Sequence, residues 1–280
     1  SNEIYEKLGD IYFKKNKDWS AAKDYYVKAQ NGENIPHLHV KIGRCYEKLE
    51  EADKALKYYN KSIETDQTYI WGLFHLGSLQ CRMEQQTNGL KNLKQAFEKD
   101  KSNVDVLVKY THELIKTKDE EKLELAYSIL KEAQQENLDN VDLLITLSRY
   151  YEIKNNITEA VNLLEDANQQ SEFYNSPHKL YFLGLIYEKN KSYNKAIQVY
   201  KNILALDKDH IQSMCRIGTL LSNAKEYKRA MKYFSYALKI NPNLSYPYYG
   251  IGKVYYALNE LEEASTNFIL ALKYDLDNFK

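Results

Sequence analysis

The stretch Leu183-Gly184-x-x-Tyr187, followed by Ala196-x-x-x-Tyr200, decides how this chain is read. The pattern returns as Ile217-Gly218 with Ala230-x-x-x-Phe234-x-x-Ala237. It returns again as Ile251-Gly252-x-x-Tyr255 with Ala264-x-x-x-Phe268-x-x-Ala271. Gly184, Gly218 and Gly252 stand 34 residues apart. Spacings of three and four put these residues on one face of a helix. A fixed period of this length marks a stacked repeat architecture.

Working outward with the small residue as position 8, eight repeats start at Asn2, Pro36, Ile70, Val104, Val141, Pro177, Ile211 and Ser245. Each predicts a helix A with large or apolar residues at positions 4, 7 and 11. Helix B follows with a small residue at 20, a large one at 24 and usually Ala at 27. Small residues at 8 and 20 let the two helices approach, and the large ones fill the grooves beside them. Repeat one carries one extra residue in its turn. Repeat four carries three in the segment 116–122, and the longer connection 168–176 is the candidate hinge. Pro36 and Pro177 fall at a first helical position, where a missing N–H costs nothing.

This pattern resembles the tetratricopeptide repeat family over the whole chain, through Leu-Gly-x-x-Tyr, Ala-x-x-x-Tyr/Phe-x-x-Ala and the turn Asn241-Pro242. The resemblance implies an all-α fold, a right-handed superhelical α-solenoid of about sixteen helices, with A helices lining a concave groove. No polar capping helix follows repeat eight, although solenoids normally need atypical end units. The expectation is one array over 1–280, a fragment of a longer protein, with Leu272, Leu276 and Phe279 at an edge open to self-association or to continuation of the array.

Composition bounds the function. The 280 residues carry 39 basic and 39 acidic side chains. That balance argues against wholesale binding to nucleic acid or an anionic membrane. No apolar run reaches the ~20 residues of a membrane span. Three scattered cysteines, Cys45, Cys81 and Cys215, suggest reduced thiols and an intracellular, cytoplasmic setting. Long arrays of the family recur in ciliary complexes, so a ciliary or nuclear assembly is the alternative setting.

No enzyme motif is present, neither a phosphate-binding loop nor H-E-x-x-H nor a nucleophile elbow. Gly250-x-Gly252 lies inside a helix and reads as packing. His37, His39 and His75 split between groove and core positions, so neither metal nor cofactor is expected.

Function is sought on the groove face of helix A. Repeat three offers Trp71, Phe74, His75 and Arg82. Repeat six offers His178, Tyr181 and Phe182, and repeat eight offers Tyr246, Tyr249, Lys253 and Tyr256. Arg44, Lys109, His112, Arg149 and Arg216 come from repeats two, four, five and seven. Aromatic residues and arginine are what interface hot spots are made from. The reading is a non-enzymatic scaffold that binds a peptide or helical segment of a protein partner within a multiprotein assembly. The alternative is the substrate-recognition segment of a larger enzyme such as a glycosyltransferase. In family members that grip a C-terminal carboxylate, Asn stands at position 9 and Lys at position 5. Here position 9 is Asp10, Arg44, Ser78, His112, Arg149, Leu185, Thr219 or Lys253, so that clamp is not expected.

Overall fold

The computed structural model describes residues 2–136, 140–169 and 171–276. Among them are seventeen α-helices. The chain divides into two compact units, Ser1–Leu138 and Asp139–Lys280, each taken by itself below.

In the first unit the helices are α1 (Asn2–Ile11), α2 (Trp19–Gln30), α3 (Pro36–Lys48), α4 (Ala52–Thr65), α5 (Ile70–Arg82), α6 (Gln86–Lys99), α7 (Val104–Lys116) and α8 (Glu120–Glu136). In the second they are α9 (Val141–Ile153), α10 (Ile157–Asn168), the short α11 (Ser171–Tyr174), α12 (Pro177–Lys189), α13 (Tyr193–Leu206), α14 (Ile211–Asn223), α15 (Tyr227–Ile240), α16 (Ser245–Ala257) and α17 (Leu261–Leu276). The eight A helices (α1, α3, α5, α7, α9, α12, α14 and α16) begin at the eight residues where the period begins.

The position-8 glycines serve a more specific purpose than close helix approach. A Cβ on Gly9 would lie 2.5 Å from the Tyr26 ring, on Gly43 2.5 Å from Tyr59, and on Gly184 2.4 Å from Tyr200. The position-24 ring of helix B therefore lies flat on the glycine backbone of helix A. Gly250 does the same one repeat on: its Cβ would meet Phe234 at 2.4 Å, so that ring sits between Gly218 and Gly250. Tyr59, Tyr200 and Phe234 are fully buried in consequence.

Turns repeat as regularly as helices. Each A-to-B turn holds one non-glycine residue at positive φ, such as Glu50, Glu84, Lys118, Asn155, Lys191, Lys225 and Asn259. The chain closes with a bond from the N–H five residues beyond a carbonyl, as from Glu51 to Tyr46 at 2.9 Å and from Ser192 to Tyr187 at 2.8 Å. This is a helix C-cap that glycine usually fills. In repeat one the extra residue is absorbed by a π-helical turn, Tyr12–Asn16, and the closing bond runs from Asp18 to Tyr12 instead, six residues apart. Single insertions into helices are commonly taken up this way.

Repeat four departs from the sequence reading. Its turn, Thr117–Asp119, is as short as the others, and the three additional residues lengthen helix B. Thus α8 has 17 residues where α4, α6, α13 and α15 have 14. Three residues are close to one helical turn, so the buried face of Leu123, Ala126, Leu130 and Ala133 stays continuous.

The B-to-A turns open with Asp66, Asp100, Asp207 or Asn241, whose side-chain oxygens accept from the N–H two residues on at 2.8 to 3.1 Å. These Asx turns set the chain direction where Pro is missing in all but one repeat. In the 168–176 connection, Phe173 of α11 is fully buried. On α17, Ile269 and Leu272 are about two-thirds exposed. The side chain of Leu276 and the whole of Phe279 lie outside the described residues. No described helix is long and apolar enough to cross a membrane.

Candidate partner-binding face

The A-helix face of each unit is organised by a relay that joins three residues. Where position 24 is tyrosine, its hydroxyl passes beneath helix A and donates to a carboxylate there. Tyr26 donates to Asp10 at 2.8 Å, Tyr200 to Glu188 at 2.7 Å, and Tyr59 to Glu47. A basic residue from the next A helix then closes on the same carboxylate. Lys41 reaches Asp10 at 2.7 Å, the Arg216 Nε reaches Glu188 at 2.8 Å, and Arg82 reaches Glu47. Buried phenols need partners, and the acid serves both neighbours. Burial opposes charge on Asp10, but Lys41 and the Tyr26 hydroxyl outweigh it and hold the carboxyl below its usual range. Burial likewise works against the Arg216 cation, yet Glu188 raises its pKa overall.

This relay changes what the expected groove cations can do. Arg82 and Arg216 are tied to carboxylates of the preceding repeat. Lys109 donates to Glu113 at 2.7 Å on its own helix, as Lys116 does at 3.1 Å. Burial alone would raise the Glu113 pKa, but these two lysines bring it below the ordinary value. His112 lies half-buried beside them.

Two arginines are arranged differently. Arg44 lies over the Phe13 ring at 4.9 Å and Arg149 over the Phe182 ring at 4.1 Å, and among the described residues neither forms a direct ion pair. Burial lowers the Arg149 pKa, with Glu152 acting the other way. Phe182 is therefore largely covered by Arg149 and only 7% exposed.

The expected aromatic anchors separate into two kinds. In the first unit Trp71, Phe74 and His75 are brought together: Trp71 meets Phe74 edge-on at 5.4 Å, Phe74 meets His75 at 5.1 Å, and His75 stacks on Tyr59 at 5.5 Å. Burial, with Arg44 and Arg82 nearby, lowers the His75 pKa to about 4, so the ring is neutral at ordinary pH. In the second unit Tyr181 is half-buried against Tyr200 and His210, and His178 is exposed. Tyr246, Tyr249 and Tyr256 are 44%, 50% and 66% exposed on one face of α16, with Lys253 over the Tyr249 ring at 5.8 Å. The Tyr246 hydroxyl is 2.9 Å from that of Thr219.

Between α9, α12 and α14 the A helices leave a cleft of about 410 Å³. Its floor is Phe182 and Leu185, and Arg149, Lys189 and Arg216 line it together with Glu152 and Glu188. Cys45, Cys81 and Cys215 are buried, and burial pushes their thiols up to about 12, 11 and 11. Thiols held that far from ionisation are poor nucleophiles. Among the described residues no three His, Cys, Asp or Glu side chains converge as a metal site. His37 instead faces Glu6 at 3.3 Å, and His39 pairs with Gln30 at 3.0 Å in the core.

Paired helices in stacked register, with conserved spacing of glycine and ring, define an α-helical repeat protein of the solenoid class. A family model described as tetratricopeptide repeat matches residues 36–69, 180–210, 211–244 and 246–278. The chain carries tetratricopeptide repeats at these positions. The TPR repeat-containing protein MJ1428 of Methanocaldococcus jannaschii is 22% identical over 92% of this chain and 54% of its own length. The photosystem I assembly protein Ycf3 of Acaryochloris marina is 29% identical over 31% of this chain and 55% of its own. This chain thus spans about half the length of each of these relatives. A tetratricopeptide repeat protein from Parabacteroides merdae shares the fold, with a TM-score of 0.66 over 90% of this chain and 98% of that one, at 13% identity.

Proposed function

We propose that this chain is a non-enzymatic protein-interaction scaffold that takes a peptide or helical segment of a partner along its A-helix face, within a multiprotein assembly. The observation that carries the reading is the contrast on α16. Its scaffold residues Gly250, Ile251, Gly252 and Val254 are buried, while Tyr246, Tyr249 and Tyr256 stand open on the other face. Tyrosine supplies large contact area at small entropic cost and retains a hydroxyl for orientation. A preformed helical surface avoids much of the ordering cost of association. Similarity to a protein named for photosystem I assembly supports a role of this general kind.

The test is affinity capture with the whole chain and with a Tyr246→Ala, Tyr249→Ala variant, followed by mass spectrometry. The expected result is loss of the captured proteins with little change in melting temperature. Undiminished capture by the variant overturns this placement.

A further inference from the structure

On α9, α12, α14 and α16 there are three acidic residues and five basic ones. Each acid already has a cation: Asp142 takes Lys179 at 3.1 Å, Glu152 takes Lys189, and Glu188 takes Arg216. That leaves Arg149 and Lys253. Both occupy position 9 of their repeats. Both lie over an aromatic ring in place of a carboxylate, Arg149 on Phe182 and Lys253 on Tyr249. Arg44 repeats the arrangement in the first unit, at position 9 and over Phe13. A cation seated on a ring keeps its outward N–H donors free, and the ring fixes its direction.

We infer that the second unit recognises an acidic segment of a partner protein, with Arg149 and Lys253 as its two carboxylate anchors and the open faces of Leu185, Tyr246 and Tyr249 receiving the apolar residues between. This rests on the A-helix-face reading given above and specifies its ligand. Charge complementarity selects the occupant. Among the described residues of these four helices there is a surplus of two cations and no unpaired acid, so a basic or neutral segment leaves Arg149 and Lys253 unsatisfied on docking, at a cost that an acidic segment removes. Arg149 opens into the cleft floored by Phe182 and Leu185, where a carboxylate can meet the guanidinium in bidentate fashion beside apolar surface.

Spacing follows from the stacking. Neighbouring helices pack roughly 8–10 Å apart, and three such steps, α9 to α12 to α14 to α16, separate the anchors. An extended chain advances about 3.3 Å per residue. The two acidic residues of the partner therefore lie roughly seven to nine positions apart. The position-9 cations are specificity residues; the paired cations Lys189 and Arg216 hold the scaffold.

The experiment uses the whole chain and fluorescent peptides of roughly twelve residues, a length that covers this span. The peptides carry two glutamates at graded separations on a background of Leu, Tyr and Ser, and a matched set has glutamine at both places. A single-stranded RNA of mixed sequence is the third probe. Helix content of every variant is checked by circular dichroism. The glutamate set should bind with an optimum separation and the glutamine set about tenfold or more weaker, the scale of a charge-assisted hydrogen bond. Arg149→Gln and Lys253→Gln should each cause a similar loss, with partial recovery in Arg149→Lys.

If glutamine and glutamate peptides bind equally, the acidic ligand is wrong while the A-helix face remains a peptide site. If no peptide of either set binds, both fall. RNA binding that depends on Arg149 and Lys253 also overturns the proposal, because the anchors then serve phosphates.

Discussion

Replacing Gly218 by alanine puts a methyl group where the structure has a ring. The new Cβ would stand 2.7 Å from Cε1 of Phe234 and 2.9 Å from its Cζ. The ring is 1% exposed and cannot retreat, because its far side lies against Gly250, where a Cβ would be 2.4 Å away. Overpacking of a core costs typically ~1–3 kcal/mol, and contacts this short belong at the upper end. Alanine in a helix interior recovers about 1 kcal/mol over glycine. The net expectation for Gly218→Ala is a loss of roughly 1–2 kcal/mol. In a Phe234→Leu background the clash is relieved and only the helix term remains. There the same substitution should stabilise by up to about 1 kcal/mol, so its sign reverses. The assay is urea unfolding followed by far-UV circular dichroism on the four proteins of the double-mutant cycle, with a coupling of about 2 kcal/mol expected. If Gly218→Ala stabilises equally in both backgrounds, the glycine–ring seat is not what sets the helix pair.

Three further outcomes follow from the same geometry. His75 is neutral in the folded chain down to pH about 4, whereas an unfolded histidine takes up its proton near 6.5. Its contribution to stability is present above pH 6.5 and is lost as pH falls toward 4; His75→Gln should flatten that part of the pH dependence of urea unfolding, and a ring titrating near 6.5 by NMR would contradict this. Glu188→Gln keeps an acceptor for the Tyr200 hydroxyl but frees Arg216, so it should cost about 1–2 kcal/mol of stability and tighten acidic-peptide binding several-fold, since Arg216 lines the Arg149 cleft. An unchanged peptide affinity would show that Arg216 cannot reach the ligand. Lys225 holds φ at 62° in an exposed turn, and Lys225→Gly should be stabilising by up to about 1 kcal/mol in urea unfolding, because glycine takes this conformation without a Cβ clash.

The repeat register was legible because one structural need recurs at one spacing. A ring at position 24 requires a glycine or other small residue at position 8, so Gly9, Gly43, Gly184 and Gly218 announce where each helix pair meets. The relay was not legible. Its acid stands at position 9 in Asp10 but at position 12 in Glu47 and Glu188, and its cation at position 6 in Lys41 and Arg216 but at 13 in Arg82. Which pair meets depends on how far one A helix is offset along the next, and a linear period carries no such information. The one available signal is tyrosine, not phenylalanine or leucine, at position 24: a buried hydroxyl demands an acceptor nearby.

The same limit applies to the face. Position alone placed Phe182 and His75 among open groove residues. Their neighbours narrow that reading: Arg149 covers Phe182, while Phe74 and Tyr59 leave His75 half-buried. Repeat length announced an extra residue in repeat one and three in repeat four, but not that one becomes a π turn and the others become helix. Helical periodicity tolerates three residues far better than one, and that is a matter of backbone geometry.

The central claim is that the A-helix face, not the B-helix face, meets the partner. Tyr249 on α16 and Tyr236 on α15 are both exposed, at 50% and 39%, so a photo-crosslinking phenylalanine analogue fits at either site with little effect on folding. Illumination of each variant bound to a captured partner is the most direct measurement. Covalent adducts from position 249 and none from position 236 are the expected result; adducts from 236 alone would place the partner on the opposite face and contradict the account.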